Sequence, residues 1–334
     1  SILDYCMTNF YFLKNVETGK YLNAGDGWRA VLTDEGLPVK LYKQADGSYT
    51  IYFPYGSQNQ QLLYRVGEER VFVDYSKDWA QYGVCPNWTF TDAGEGHIYI
   101  QSLTTDPTYG QEAMPGTYLG NNPSSNYVDG NITVGNNITW TVEALPAPTE
   151  TQKARLQELV TTAKGLWLDT SEAEAVLNNN EATYIDMLGT ILELQNSIND
   201  KINAKVQDLN KLIACADAIG VSTSDAQAVA DNPQNMESVN NAISTLRTTY
   251  IAKLGEGVDA SLLPLDVTGA IINPTFAIND ADGWSWKDGE DGPDFGSSTA
   301  EYRERTFDFH QTVSGLPNGS YLLKVKGFHR PGNK

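Results

Sequence analysis

Two unlike internal repeats share one chain, and together they leave few folds open to it. Three strand-rich units follow one another between residues 10 and 145, and two helix-rich units between 151 and 254 match at an offset of 53 residues. Self-similarity at a fixed period means each unit leaves an apolar face that only its neighbour can cover. At 334 residues the chain exceeds a single ordinary core, so the repeats read as separate domains.

The strand-rich units share one grammar. Phe10–Leu13 leads through a polar turn to Tyr21-Leu22; Tyr49–Phe53 leads to Leu62–Tyr64; Ile98–Ser102 leads to Tyr118-Leu119. Strand, polar turn, strand is the pattern of a hairpin. Alternating runs beginning at Val39, Trp88 and Trp140 accompany the three hairpins, 49 and 52 residues apart. Three such units predict a β-trefoil over residues 1–146, because closing the barrel removes exposed strand edges. Trp88 and Trp140 open alternating strands and are expected in its core.

The segment Asn15-Val16-Glu17-Thr18-Gly19-Lys20-Tyr21-Leu22-Asn23-Ala24-Gly25-Asp26-Gly27 resembles the ricin-type lectins, in which a similar turn leads into a sugar-binding loop. The Gln-x-Trp signature of that family is missing from all three units, although Trp88 and Trp140 stand where its tryptophan falls. The resemblance implies sites that pair a carboxylate or amide with an aromatic plate. The carboxylate accepts sugar hydroxyls and the ring covers the apolar C–H face. The matching positions are Asp26 with Trp28, Asp74 with Trp79 or Tyr75, and Asn121 or Asn122 with Tyr127. Asp and Asn are also ordinary turn residues.

Leu145–Glu150 reads as a linker running into a helix start, with Thr149 or Thr151 as its cap. Thr170–Val176 matches Thr223–Val229, and Leu156 matches Leu209, at the 53-residue offset. A 3-4 apolar stripe free of proline from 181 to 219 predicts one long helix across the repeat boundary, and another helix is expected after Pro233. Residues 149–256 are thus read as an all-α bundle of three main and two short helices. It resembles the helical spacer repeats of bacterial surface proteins and large carbohydrate-active enzymes. Its stripe is core by default, and a protein partner docking on a helix face is the alternative.

Residues 270–334 resemble the opening half of a galactose-binding-like or carbohydrate-binding jelly roll. The features are Asn273-Pro274-Thr275-Phe276, Gly283-Trp284, a turn at Leu316–Gly319 and a strand at Leu322–Phe328. This predicts the start of a truncated β-sandwich whose apolar strands lack partners. Trp284 is expected in its core, and Trp286 in a loop where it meets a ligand. Asp288, Glu290, Asp291 and Asp294 form an oxygen-rich loop of the kind calcium uses, but EF-hand spacing is not met. No cofactor is expected.

Charge narrows the partners. Forty-two acidic and 23 basic residues give a net charge of −19, which disfavours nucleic acid and anionic membranes, since both need clustered cations. No apolar run is long enough to predict membrane insertion. Cys215 lies on a helical stripe and is expected buried; Cys6 and Cys85 are left open as a pair or two thiols. The first residues lack a basic and an apolar signal region, which fits either no leader or a mature chain. The three histidines stand outside any catalytic motif, so no enzyme is expected. The whole predicts a non-catalytic, modular glycan-binding protein, secreted, periplasmic or on a bacterial surface. An adhesin for a protein partner and an accessory region of a polysaccharide-degrading enzyme are the alternatives.

Overall fold

The computed structural model describes residues 5, 9–25, 29–54, 60–65, 70–74, 84, 86–103, 118–133 and 135–329. Asp26, Trp28, Tyr75, Trp79, Cys6 and Cys85 lie outside the described residues. A β-rich region comes first and five α-helices follow. The chain forms two compact units, one of residues 1–156 with 175–192, the other of 157–174 with 193–334.

The first unit holds β1 (Phe10–Asn15), β2 (Tyr21–Asn23), β3 (Val31–Thr33), β4 (Val39–Lys43), β5 (Tyr49–Phe53), β6 (Gln60–Arg65), β7 (Arg70–Asp74), β8 (Asn87–Gly94), β9 (His97–Ser102), β10 (Tyr118–Asn121), β11 (Val128–Ile132) and β12 (Thr139–Ala144). Antiparallel pairing runs β1–β4–β5–β8–β9–β12 and returns to β1. Six strands therefore close a barrel. β4, β8 and β9 bury alternate residues, Val39 and Leu41, Trp88 and Phe90, and Ile98, Ile100 and Ser102, as the period of 2 requires. Trp88 and Trp140 are fully buried, and their indole N–H groups donate to the Leu62 and Leu119 carbonyls at 3.0 and 2.8 Å. Both behave as the expected core residues.

Three hairpins stand off this barrel: β2–β3, β6–β7 and β10–β11. They meet through three backbone pairings, Arg29 with Phe72, Arg70 with Asp129, and Tyr127 with Val31. Each joins a residue at or just before the second strand of one hairpin to the position two residues later in another. Arg29, Arg70 and Tyr127 are thus equivalent, as are Val31, Phe72 and Asp129. The cap closes as a triangle with threefold backbone symmetry. Residues 175–192 belong to the same unit: Tyr184 meets Phe12 edge-to-face, with ring centroids 5.5 Å apart, and its carbonyl accepts from the Gln152 side chain at 3.2 Å.

The helices are α1 (Glu150–Gly165), α2 (Ser171–Asn178), α3 (Tyr184–Asp217), α4 (Ser224–Asp231) and α5 (Met236–Gly255). The long helix crosses the repeat boundary as expected. Reciprocal capping boxes start three of them: Thr149 with Gln152, Thr183 with Asp186, and Asn235 with Ser238. Of the two sequence candidates, Thr149 is the one that caps α1. The 53-residue offset survives in detail. Leu156 and Leu209 are fully buried, as are Ala163 and Ala216. Leu168 N–H donates to the Ala163 carbonyl and Val221 N–H to that of Ala216, both at 3.0 Å. This is the same helix-ending motif twice. Its left-handed residue is Gly220 (φ 78°) in one repeat and Trp167 (φ 59°) in the other.

In the second unit, residues 257–329 pack in part on helical residues. Thr275 Oγ1 donates to Asp208 at 2.8 Å, and Asp266 pairs with Lys211 on α3. Cys215 is buried, which pushes its thiol pKa up. The expected sandwich strands are short. β13 (Ser285–Trp286) pairs with β16 (Phe309–His310), and β14 (Asp294–Gly296) with β15 (Thr299–Glu301). Leu322–Phe328, expected as a long central strand, forms no ladder among the described residues, and Leu322, Leu323 and Val325 are exposed. An extended segment becomes a strand only when another edge takes up its backbone groups. The Gln311 side chain supplies one such substitute, accepting from Ile272 N–H and donating to its carbonyl at 2.7 and 2.9 Å.

Two outcomes follow from these units. Trp167 is 71% exposed, so Trp167→Gly removes left-handed strain while sacrificing little packing. Urea denaturation should show a gain of about 0.5–1 kcal/mol; a loss would contradict the strain. The Lys211 hydrogen bond, then bonds from Thr268, hold the Asp266 carboxyl down to about 2. A depressed carboxylate contributes stability above its unfolded value that is lost as pH falls through the folded one. Between about pH 4 and about pH 2, Asp266→Asn should therefore lose less stability than the parent. Equal losses would refute the assignment.

Candidate functional site

The barrel interior is filled by side chains, so a ligand of the first unit must sit outside it. The cap triangle is where polar and aromatic side chains converge, at backbone pairings between the three hairpins. Along β7 the burial alternates, with Val71 and Val73 inward and Arg70, Phe72 and Asp74 on the other face. Residues paired across strands share a face, so Arg29, Val31, Tyr127 and Asp129 join that set around the triangle.

Tyr127 is 41% exposed at the start of β11. The Arg29 guanidinium lies over its ring, 3.7 Å from the centroid, a cation–π stack. Arg29 Nη2 donates to Asp129 Oδ1 at 3.1 Å, and Asn122 Nδ2 donates to Oδ2 at 2.8 Å. Asn122 is itself fixed, its side-chain oxygen accepting from Ser124 N–H at 2.9 Å and its own N–H reaching the Tyr127 carbonyl. Both oxygens of the buried Asp129 are therefore committed to protein donors. The Arg29 Nε–H is buried without an acceptor. Arg70 is exposed at the same apex and makes no ion pair among the described residues.

The expected residues fare unequally. Tyr127 and Asn122 come together, with Arg29 and Asp129 added to them. Asn121 is buried at 9% exposure, its side-chain amide lying against the Asn122 and Ser125 carbonyls. It sits behind the hairpin and Asn122 takes its place. Asp74 lies on the outer face of β7, opposite Gln61. Trp286, in the second unit, is half-buried; a Cβ added at Gly292 would come within 2.6 Å of its ring. It is a packed residue of a short ladder, not a free plate. Trp284 stacks on Phe309 at 4.8 Å and donates to the Ile272 and Asn273 carbonyls.

The acidic loop spends two of its carboxylates on cations: Glu290 on Lys287 at 2.9 Å and Asp291 on Arg305 at 3.6 Å. Among the described residues no three metal-ligating side chains converge, and no helix is long and apolar enough to cross a membrane. Arg29, Arg70 and Asp129 were not anticipated. Their spacings, 41 and then 57 residues between equivalent positions, are too unequal to stand out as a repeat.

No protein-family model and no curated protein matches the chain. Among solved structures it is similar to a β-trefoil named BEL, at 12% identity over 42% of this chain and 96% of that one, with a TM-score of 0.33. It is also similar to a GlcNAcα1-4Gal-releasing endo-β-galactosidase from Clostridium perfringens, at 14% identity and a TM-score of 0.32. That alignment covers 41% of this chain and 33% of the other, so the chain spans a third of the galactosidase's length. Cry35Ab1 aligns at 14% identity over 44% of this chain and 39% of its own, with a TM-score of 0.31.

The cluster predicts its own energetics. Arg29→Ala strands a carboxylate whose side chain is 8% exposed, and denaturation should show a cost of about 3 kcal/mol. Tyr127→Ala alone should cost under about 1 kcal/mol, with a coupling between the two of about 0.5–1 kcal/mol. Strict additivity would remove the stack from the account.

Proposed function

We propose that the chain is a non-catalytic, modular glycan-binding protein of the extracellular space or a bacterial surface. Its barrel and cap are a β-trefoil, its helices a spacer, and residues 270–334 belong to a carbohydrate-binding sandwich. The closed six-stranded barrel with three capping hairpins supports the trefoil. The aromatic cluster of Phe276, Trp284, Phe295 and Phe309 supports the sandwich. One observation carries the functional reading: an exposed Tyr127 ring held beside amide and guanidinium groups that hydrogen bonds fix to Asp129 on β11. Sugars are recognised by an apolar face against a ring and by hydroxyls on polar groups around it. Holding those groups still in advance lowers the cost of binding a flexible ligand.

One feature favours a protein partner instead. Leu322, Leu323, Val325 and Phe328 are exposed together in the second unit, and contiguous apolar exposure marks an interaction surface.

Isothermal titration of the 334-residue chain against a panel of neutral and acidic oligosaccharides tests the glycan reading. Binding is expected, and Tyr127→Ala should weaken it at least about tenfold, the loss of about 1.4 kcal/mol, while the variant still melts cooperatively. Absence of binding across the panel would overturn the reading.

A further inference from the structure

The backbone of the cap is threefold, but its side chains are not. Position one of the triangle is Arg29, Arg70 and Tyr127; position two is Val31, Phe72 and Asp129. Three equal sites are thus impossible at the apex, and one composite site built from all three hairpins is what remains. Its charge also departs from that of the chain. The six apex residues carry two guanidinium groups and one carboxylate, inside a protein of net charge −19. Asp129 faces Arg70 across the ladder, yet both of its oxygens are taken by Arg29 and Asn122. Arg70 is left exposed with no carboxylate of its own among the described residues. Arg29 adds a second unmet donor, its buried Nε–H. A buried donor left unmade costs about 1–3 kcal/mol, so Arg29 keeps hydrogen-bonding capacity that the protein itself does not use.

We infer that the cap apex is a single subsite for an acidic sugar residue, its carboxylate held by Arg70 and Arg29 and its ring laid on Tyr127. This rests on the glycan-binding reading and narrows it. Arginine suits the task because its planar fork meets a carboxylate through two hydrogen bonds. The Tyr127 plate selects a sugar acid over a small inorganic anion, which has no apolar face to stack. The negative charge of the rest of the chain does not forbid one carboxylate. Charges beyond about 8 Å are screened at physiological salt, whereas a polyanion would meet the whole acidic surface.

Calorimetry with 3′-sialyllactose and a glucuronic-acid-terminated oligosaccharide, each against its neutral counterpart, tests the inference on the whole chain. At least one acidic probe should bind about tenfold or more tightly than its neutral counterpart, a difference of about 1.4 kcal/mol, and the advantage should shrink as salt rises. Arg70→Gln, an exposed change that should leave the fold intact, is expected to erase the advantage, and Arg70→Lys to keep part of it. Equal binding of acidic and neutral probes, or an Arg70→Gln variant that binds like the parent, overturns the acidic subsite. If neutral probes still bind and Tyr127→Ala abolishes that binding, glycan recognition survives without the inference. If no probe binds, both fall.

Discussion

Everything at the cap depends on how β1 closes the barrel. β1 pairs with β12 from Tyr11 to Asn15 and with β4 through Phe10 and Tyr11. Without it the ring would be an open sheet with two unpaired edges. Asn15, fully buried at the end of this strand, sets the seam. Its amide donates to the Asn137 carbonyl at 2.9 Å, while its side-chain oxygen accepts from the Thr18 N–H and hydroxyl at 3.1 Å. One residue thus satisfies the β1–β2 turn and ties it to the chain ahead of β12. A slip of one residue in β1 would bring Phe12 inward in place of Leu13, turn Asn15 outward, and break these bonds together.

From that closure the cap inherits its geometry. The hairpins leave the barrel at equivalent strands, so their backbones are bound to meet in threefold fashion. Side chains at the meeting points carry no such obligation, and here they diverge into two arginines, a tyrosine, two apolar residues and an aspartate. Backbone symmetry then serves as a frame for one asymmetric cluster rather than for three copies of a site.

Much of the frame was legible in the sequence, because burial writes a period into the chain. The alternating runs at Val39, Trp88 and Trp140 became three equivalent barrel strands, and the 53-residue match became two copies of one helix-ending motif. The cap cluster was not legible. It unites Arg29, Arg70 and Asp129, which are distant in the chain and set at unequal spacing, so neither periodicity nor local turn chemistry connects them. The burial of Asn121 is illegible for a related reason: adjacent strand residues face opposite ways, and only the pairing of β10 decides that Asn121 turns inward. Leu322–Phe328 reads as a strand by pattern, yet a pattern states a preference and a ladder needs a second edge.

Recognition at the apex where three hairpins meet makes one direct demand on the intact chain. Backbone amide hydrogen exchange of the intact chain, with and without saturating acidic oligosaccharide, tests it most directly. The account predicts slowed exchange at residues 29–31, 70–72 and 127–129 together, one patch assembled from three distant segments. Protection confined to a single hairpin, or appearing only in the helices or residues 257–329, would contradict it.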